Sequence, residues 1–183
     1  MVVDDRIGWR ALTDRVSSER ELAEVLLATE ISRLGDERNA TWAPGLSDAE
    51  IALASGERAL QLVQEHLRDW FGPDGVDALL IRALERARSS HPILIGVQPP
   101  VSGTLRLIGI TENDRAVSQQ NGALDSREII EGIVALLAAI LALIARLVGD
   151  EMMRHLVKQI WPVLPDDASL PNDSPNNHER SGK

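Results

Sequence analysis

Residues 132–145 read GIVALLAAILALIA, fourteen positions without a charge or a side-chain hydrogen-bonding group. How this run is read decides the fold, because it fits both a membrane span and the centre of a core. For a span, residues 129–148 make 20 positions, about 30 Å of helix, the thickness of a bilayer's hydrocarbon layer. The only charges inside, Glu131 and Arg146, sit near its ends, and an Arg there can reach back to the interface. Ala135 with Ala139, and Ala138 with Ala142, have the small-xxx-small spacing of packed membrane helices. Against a span, the flanks are acidic on both sides: Asp125 and Glu128 before, Asp150 and Glu151 after. No Trp or Tyr anchors either end and no basic cluster marks a cytoplasmic side.

Periodicity favours the core. Ile129, Ile133, Leu136, Ile140, Leu143 and Leu147 step by four and three, as an a/d seam does. Ile130, Val134, Leu137, Leu141, Ile144 and Val148 make a second seam. Ala135, Ala138, Ala142 and Ala145 make a third, of small residues. A helix apolar on so many sides must be enclosed. The spacing predicts a central helix over about 126–148, wrapped by amphipathic neighbours or by a second copy of the chain. Ile133, Leu136, Ala138, Ile140, Ala142 and Leu143 are the expected helix–helix or dimer seam.

The rest of the composition suits helices. The chain has 183 residues, 44% hydrophobic but only 3% aromatic, so its core is aliphatic. The net charge of −9 argues against nucleic acid, which needs a basic face. With no Cys there is no disulfide, thiol nucleophile or thiolate metal site. MVVDDRIGWR lacks the apolar core of a secretory signal. A cytoplasmic location is expected, with a membrane location as the alternative.

Three organisational units are expected. Residues 1–45 read as a helical N-terminal extension and linker. Trp9, Leu12 and Val16 lie on one side of a short helical segment. Ser18 and Glu21 then form a capping box, in which each side chain bonds the other's amide. Leu27, Ile31 and Leu34 share the face behind it, Gly35 is the expected stop, and Trp42 stands in the polar linker. Residues 46–165 read as the helical domain. Ser47 and Glu50 make a second capping box, opening a helix with Leu60, Val63, Leu67 and Trp70 on its buried stripe. Gly72-Pro73 ends that helix, and Asp74 caps the next, whose apolar face is Val76, Leu80, Ala83, Leu84 and Ala87. ILIGV (93–97) and TLRLIGIT (104–111) are short and rich in β-branched residues, and predict an inserted β-hairpin at about 93–111. Asp125 and Glu128 are a third box opening the central helix; Gly149 interrupts it before a last helix near 150–161 with Met152 and Met153 as core residues. Residues 166–183 have the composition of a disordered tail.

No phosphate-binding glycine loop and no nucleophile elbow occurs in the sequence. His66 and Asp69 share a helix face, but a metal site needs further ligands. His155-Leu156-Val157-Lys158 resembles the His-x-x-Lys pattern of histidine phosphotransfer domains, which are helical bundles. The resemblance implies a phosphorylatable His155 with Lys158 neutralising the phosphoryl group. It covers four residues, and the small Gly that usually follows the Lys is Gln159 here. The competing reading is an ordinary polar helix face.

The expected fold is therefore mainly α, a helical bundle around a central apolar helix with one inserted hairpin. The expected function is a non-enzymatic regulatory or adaptor module, with no cofactor and no metal. It acts through protein contacts or as a homodimer, using Leu27, Ile31, Leu34 and Trp42 or the hairpin edge. A single-span membrane protein, a phosphotransfer domain and a small-molecule sensor with an apolar cavity against the Ala line are the alternatives.

Overall fold

The computed structural model describes residues 18–40, 47–101, 104–107, 110 and 125–162. Its elements are α1 (Glu19–Ala40), α2 (Asp48–Arg88), a 3-10 turn (Pro92–Gly96), α3 (Ser126–Val148) and α4 (Asp150–Ile160). The protein is mostly helical. Among the described residues there is no strand, only an isolated bridge between Val101 and Thr104.

The apolar run 132–145 lies within α3, and the two large seams of that helix are the centre of the core. Ile129, Ile133, Leu136 and Ile140 are fully buried, as are Val134, Leu137, Leu141 and Ile144 on the second seam. α2 covers α3 most extensively, then α1, then α4. α3 is long and apolar enough to cross a membrane, and 61% of its most apolar stretch is buried inside the protein.

Close approach is made possible by two glycines. A Cβ on Gly56 would lie 2.6 Å from Ile133 Cδ1, so α2 presses on α3 there. A Cβ on Gly132 would lie 2.7 Å from Ile93 Cγ2, where the 3-10 turn crosses α3.

The caps behave as local sequence dictates. Ser18 and Glu21 exchange bonds at 3.3 Å, and Ser47 and Glu50 do the same, with the Ser47 amide 2.7 Å from Glu50 Oε2. Asp125 caps α3 through the amide of Arg127, at 3.0 Å, one position earlier than a capping box requires. α1 passes through Gly35 and runs on to Ala40. It gives Leu22, Ala23, Leu26 and Leu27 to the same core that α2 and α3 build.

α2 is bent where two helices were expected. Gly72 has φ +69° and ψ 170°, outside helical space, and Pro73 restarts the helix at once. Pro is well suited to a first helical position because its missing amide is an orphan there anyway. Trp70, just before the bend, is 40% exposed and not part of the buried stripe of Leu60, Val63 and Leu67.

The hairpin expected at 93–111 is not formed. Its first half, PILIG, winds into the 3-10 turn. In its second half Leu105 and Arg106 have no regular structure and Leu107 begins a turn, with both Leu buried and Arg106 exposed. Side chains of α2, not a partner strand, satisfy its backbone. Gln64 takes the Leu105 amide at 2.5 Å and returns its own amide to the Leu105 carbonyl at 3.4 Å. Glu57 accepts from the Leu107 amide, and Arg88 donates to the carbonyls of Leu94 and Val97. An unpaired buried backbone group costs about as much as a lost hydrogen bond, and these three side chains remove that cost without a ladder.

Candidate functional site

The Ala line of α3 forms the first candidate site. Ala135, Ala138 and Ala142 are only half-buried and form the floor of a groove of about 360 Å³. One wall is the start of α1, from Ser18 to Arg20. The other is the end of α2 with the turn after it, and includes Arg86, Ser90 and His91. The groove is thus the one side of α3 where small residues, not large ones, meet the surface. Of the expected seam residues, Ile133, Leu136, Ile140 and Leu143 are buried within the chain, while Ala138 and Ala142 face this groove.

The second candidate is the junction of α3 and α4. The first seam runs past its cover: Leu143 is 8% exposed and Leu147, one turn on, is 64%. Gly149 then turns the chain with φ +91°, a backbone angle that a Cβ disfavours. Met152, expected in the core, is 45% exposed just beyond the turn, whereas Met153 is buried. Arg146, Asp150 and Glu151 are exposed beside them.

A third groove, of about 260 Å³, lies where the strip of residues 104–106 meets α2. It is polar, with Glu57, Gln61, Glu65, Arg68 and Arg106 among its lining residues. Arg68 Nη2 donates to Thr104 Oγ1 at 2.6 Å, and Gln64 and Glu57 hold the backbone of the strip. These groups are spent on securing the connection.

The remaining candidates separate. Leu27 is buried in the core, while Ile31 and Leu34 are half-buried along α1; Trp42 lies outside the described residues. Among the described residues of 93–111 there is no hairpin, and so no hairpin edge, to recruit a strand. His66 Nδ1 lies 2.9 Å from the Leu62 carbonyl of its own helix. Among the described residues no three acidic or imidazole groups converge on one point. His155 is exposed on α4, with Nε2 3.2 Å from Gln159 Nε2, and Lys158 is half-buried.

Sequence reasoning did not find one buried polar pair. Glu30 of α1 is 1% exposed, and its Oε1 accepts from Trp161 Nε1 at 2.8 Å. Its Oε2 lies 3.2 Å from Arg58 Nε and 3.9 Å from Arg33 Nε. The approach to Oε2 is ionic and not a directed hydrogen bond. Helical spacing does put Glu30 on the buried face, four residues after Leu26 and three after Leu27; it escapes notice because an acidic side chain reads as surface.

Compared with known proteins, no family model, no curated protein and no solved structure matches the chain.

Proposed function

We propose that the chain is a non-enzymatic regulatory or adaptor module whose contact face is the end of the bundle where α3 turns into α4. The observation that carries this reading is the seam that outruns its cover, from a buried Leu143 to a 64% exposed Leu147 with Met152 beside the turn. A partner that extended the cover would bury both side chains. Each is worth about 1.5–3 kcal/mol when fully buried. Leu147 and Met152 are already partly covered, so the gain left to them sums to less than the roughly 4 kcal/mol of a millimolar contact, and polar groups around them must contribute. Met is well suited to such a face because its unbranched chain adapts to different surfaces.

The rim names the partner's chemistry. Asp150 and Glu151 outnumber Arg146, and the whole chain carries −9. A protein with an apolar knob among basic side chains fits this end. A second copy brings the same acids and the same net charge, which oppose encounter. These charges favour a different protein over a second copy.

The test is a photo-crosslinking residue at position 147 in the full chain, in its native cell, with the same residue at exposed Gln61 as control. A recurrent adduct at 147 that contains another protein supports the reading. An adduct of twice the chain's mass replaces the different partner with a second copy. Adducts no stronger at 147 than at 61 remove the contact face. The membrane alternative is judged in the same cells. If α3 is a core helix the chain stays in the supernatant without detergent, and recovery only from detergent-treated membranes overturns the proposal.

A further inference from the structure

We infer that the groove floored by Ala135, Ala138 and Ala142 is a docking site for this chain's own residues 1–17. The chain reaches the groove at the right place. Ser18, Glu19 and Arg20 are themselves one wall, so residue 17 is delivered to the edge of the floor. The preceding segment carries Trp9, Leu12 and Val16 at steps of three and four, the spacing of one apolar side over about two helical turns. The floor is made of methyl groups, which leaves depth for large side chains to seat on α3. From Ile133 to Ile144 the large seams of α3 are already covered by its neighbours. An attached occupant also has an advantage over any free one. A short tether holds it at an effective concentration of about millimolar. Even an apolar contact of modest size, anchored by one Trp, is then populated. Docking of 1–17 completes the enclosure of α3 along the Ala line.

The sequence has no Cys, so a single introduced thiol can be labelled cleanly. Ser90 is exposed on the groove wall. The full chain with Ser90→Cys carrying bimane is compared with the same chain carrying Trp9→Phe, because a Trp ring quenches bimane only near contact. The expected result is several-fold brighter emission in Trp9→Phe, unchanged by dilution of either protein. Equal brightness of the two proteins overturns the inference. Quenching that fades on dilution, or that appears when unlabelled full chain is added to labelled Trp9→Phe chain, also overturns it. In that case the occupant is a second copy. Deletion of residues 1–17 serves as a second variant and is expected to match Trp9→Phe.

Discussion

The indole of Trp161 donates to the carboxylate of Glu30 across 2.8 Å, joining residues 131 positions apart in sequence. Trp161 comes directly after the end of α4 and is buried, and Glu30 is in the middle of α1. The first and last described helices are therefore fastened to one another by one polar bond inside an apolar core. Replacing Trp161 with Phe leaves the Glu30 oxygen buried and without its donor. That change is expected to cost about 1–3 kcal/mol. Arg58→Ala takes away the nearer counter-charge of a carboxylate that is 2% exposed, but Arg58 itself is 44% exposed and Arg33 remains at 3.9 Å, so its cost is expected to exceed that of a surface pair and to stay below that of Trp161→Phe. Urea denaturation of both variants checks the order; an Arg58→Ala cost above that of Trp161→Phe would show that the ion pair dominates.

Gly56→Ala sets two known effects against each other. Ala gains about 1 kcal/mol of helix propensity over Gly. Its Cβ would meet Ile133 Cδ1 at 2.6 Å and Cγ2 at 2.9 Å, and overpacking a core costs about 1–3 kcal/mol. The expected net effect is destabilisation. Ile133→Val deletes Cδ1, so the double variant should lose less than the two single costs added together. A thermal or urea double-mutant cycle reads the coupling, and additive costs would mean that α2 shifts freely away from α3.

Ser55 is fully buried in α2, and its hydroxyl has no hydrogen-bond partner. Ser55→Ala removes a desolvated group and adds a better helix former. The expected gain is on the order of 1 kcal/mol, seen as a higher urea midpoint with an unchanged slope. A loss of stability would show that the hydroxyl is bonded in solution.

Acid should loosen the start of α2. Bonds from the Ser47 amide and hydroxyl hold the Glu50 carboxyl below its usual value of 4.5. Its folded pKa is depressed, so its contribution is present above pH 4.5 and is lost as pH falls through the lower folded value. Stability measured across that window should fall less steeply in Glu50→Gln than in the wild type. Parallel curves would mean that the capping box does not persist in solution.

His155 should take no phosphoryl label from a small-molecule phosphodonor such as acetyl phosphate. It is exposed on the short helix α4, which ends at Ile160. Its ring faces Gln159, where the resembling domains have a small Gly beside the docking surface. Label that appears in the wild type and disappears in His155→Gln would replace the adaptor reading with phosphotransfer.

Features that neighbouring residues decide were legible in the sequence. The boxes at Ser18 and Ser47 close over three residues, and both are present. The seams of α3 repeat within one helix, and their large members are buried from Ile133 to Ile144. Misreadings came from partners far along the chain. ILIGV and TLRLIGIT have strand composition, but Gln64 and Glu57 reach the second of them from 41 and 50 residues away. Their side chains take the bonds that a strand would have taken. Gly35 looked like a stop only because nothing local shows α1 continuing. Of the candidate contact residues, Leu27 was on the correct face, but that face belongs to the core. Leu147 was assigned correctly to a seam, yet only the ends of the neighbouring helices determine where the cover stops.

The order of the elements also bears on synthesis. GIVALLAAILALIA is as apolar as a membrane segment, and a ribosome emits it as a bare chain. By then α1 and α2, its two largest covering surfaces, have already been made, and of the described helices α4 follows it. The most adhesive part of the protein thus emerges to a waiting receptor, and its time in view of targeting factors and chaperones is short. A circular permutant that began at α3 would keep every native contact but reverse that order. Its nascent chain would show the apolar helix first, with nothing yet made to receive it.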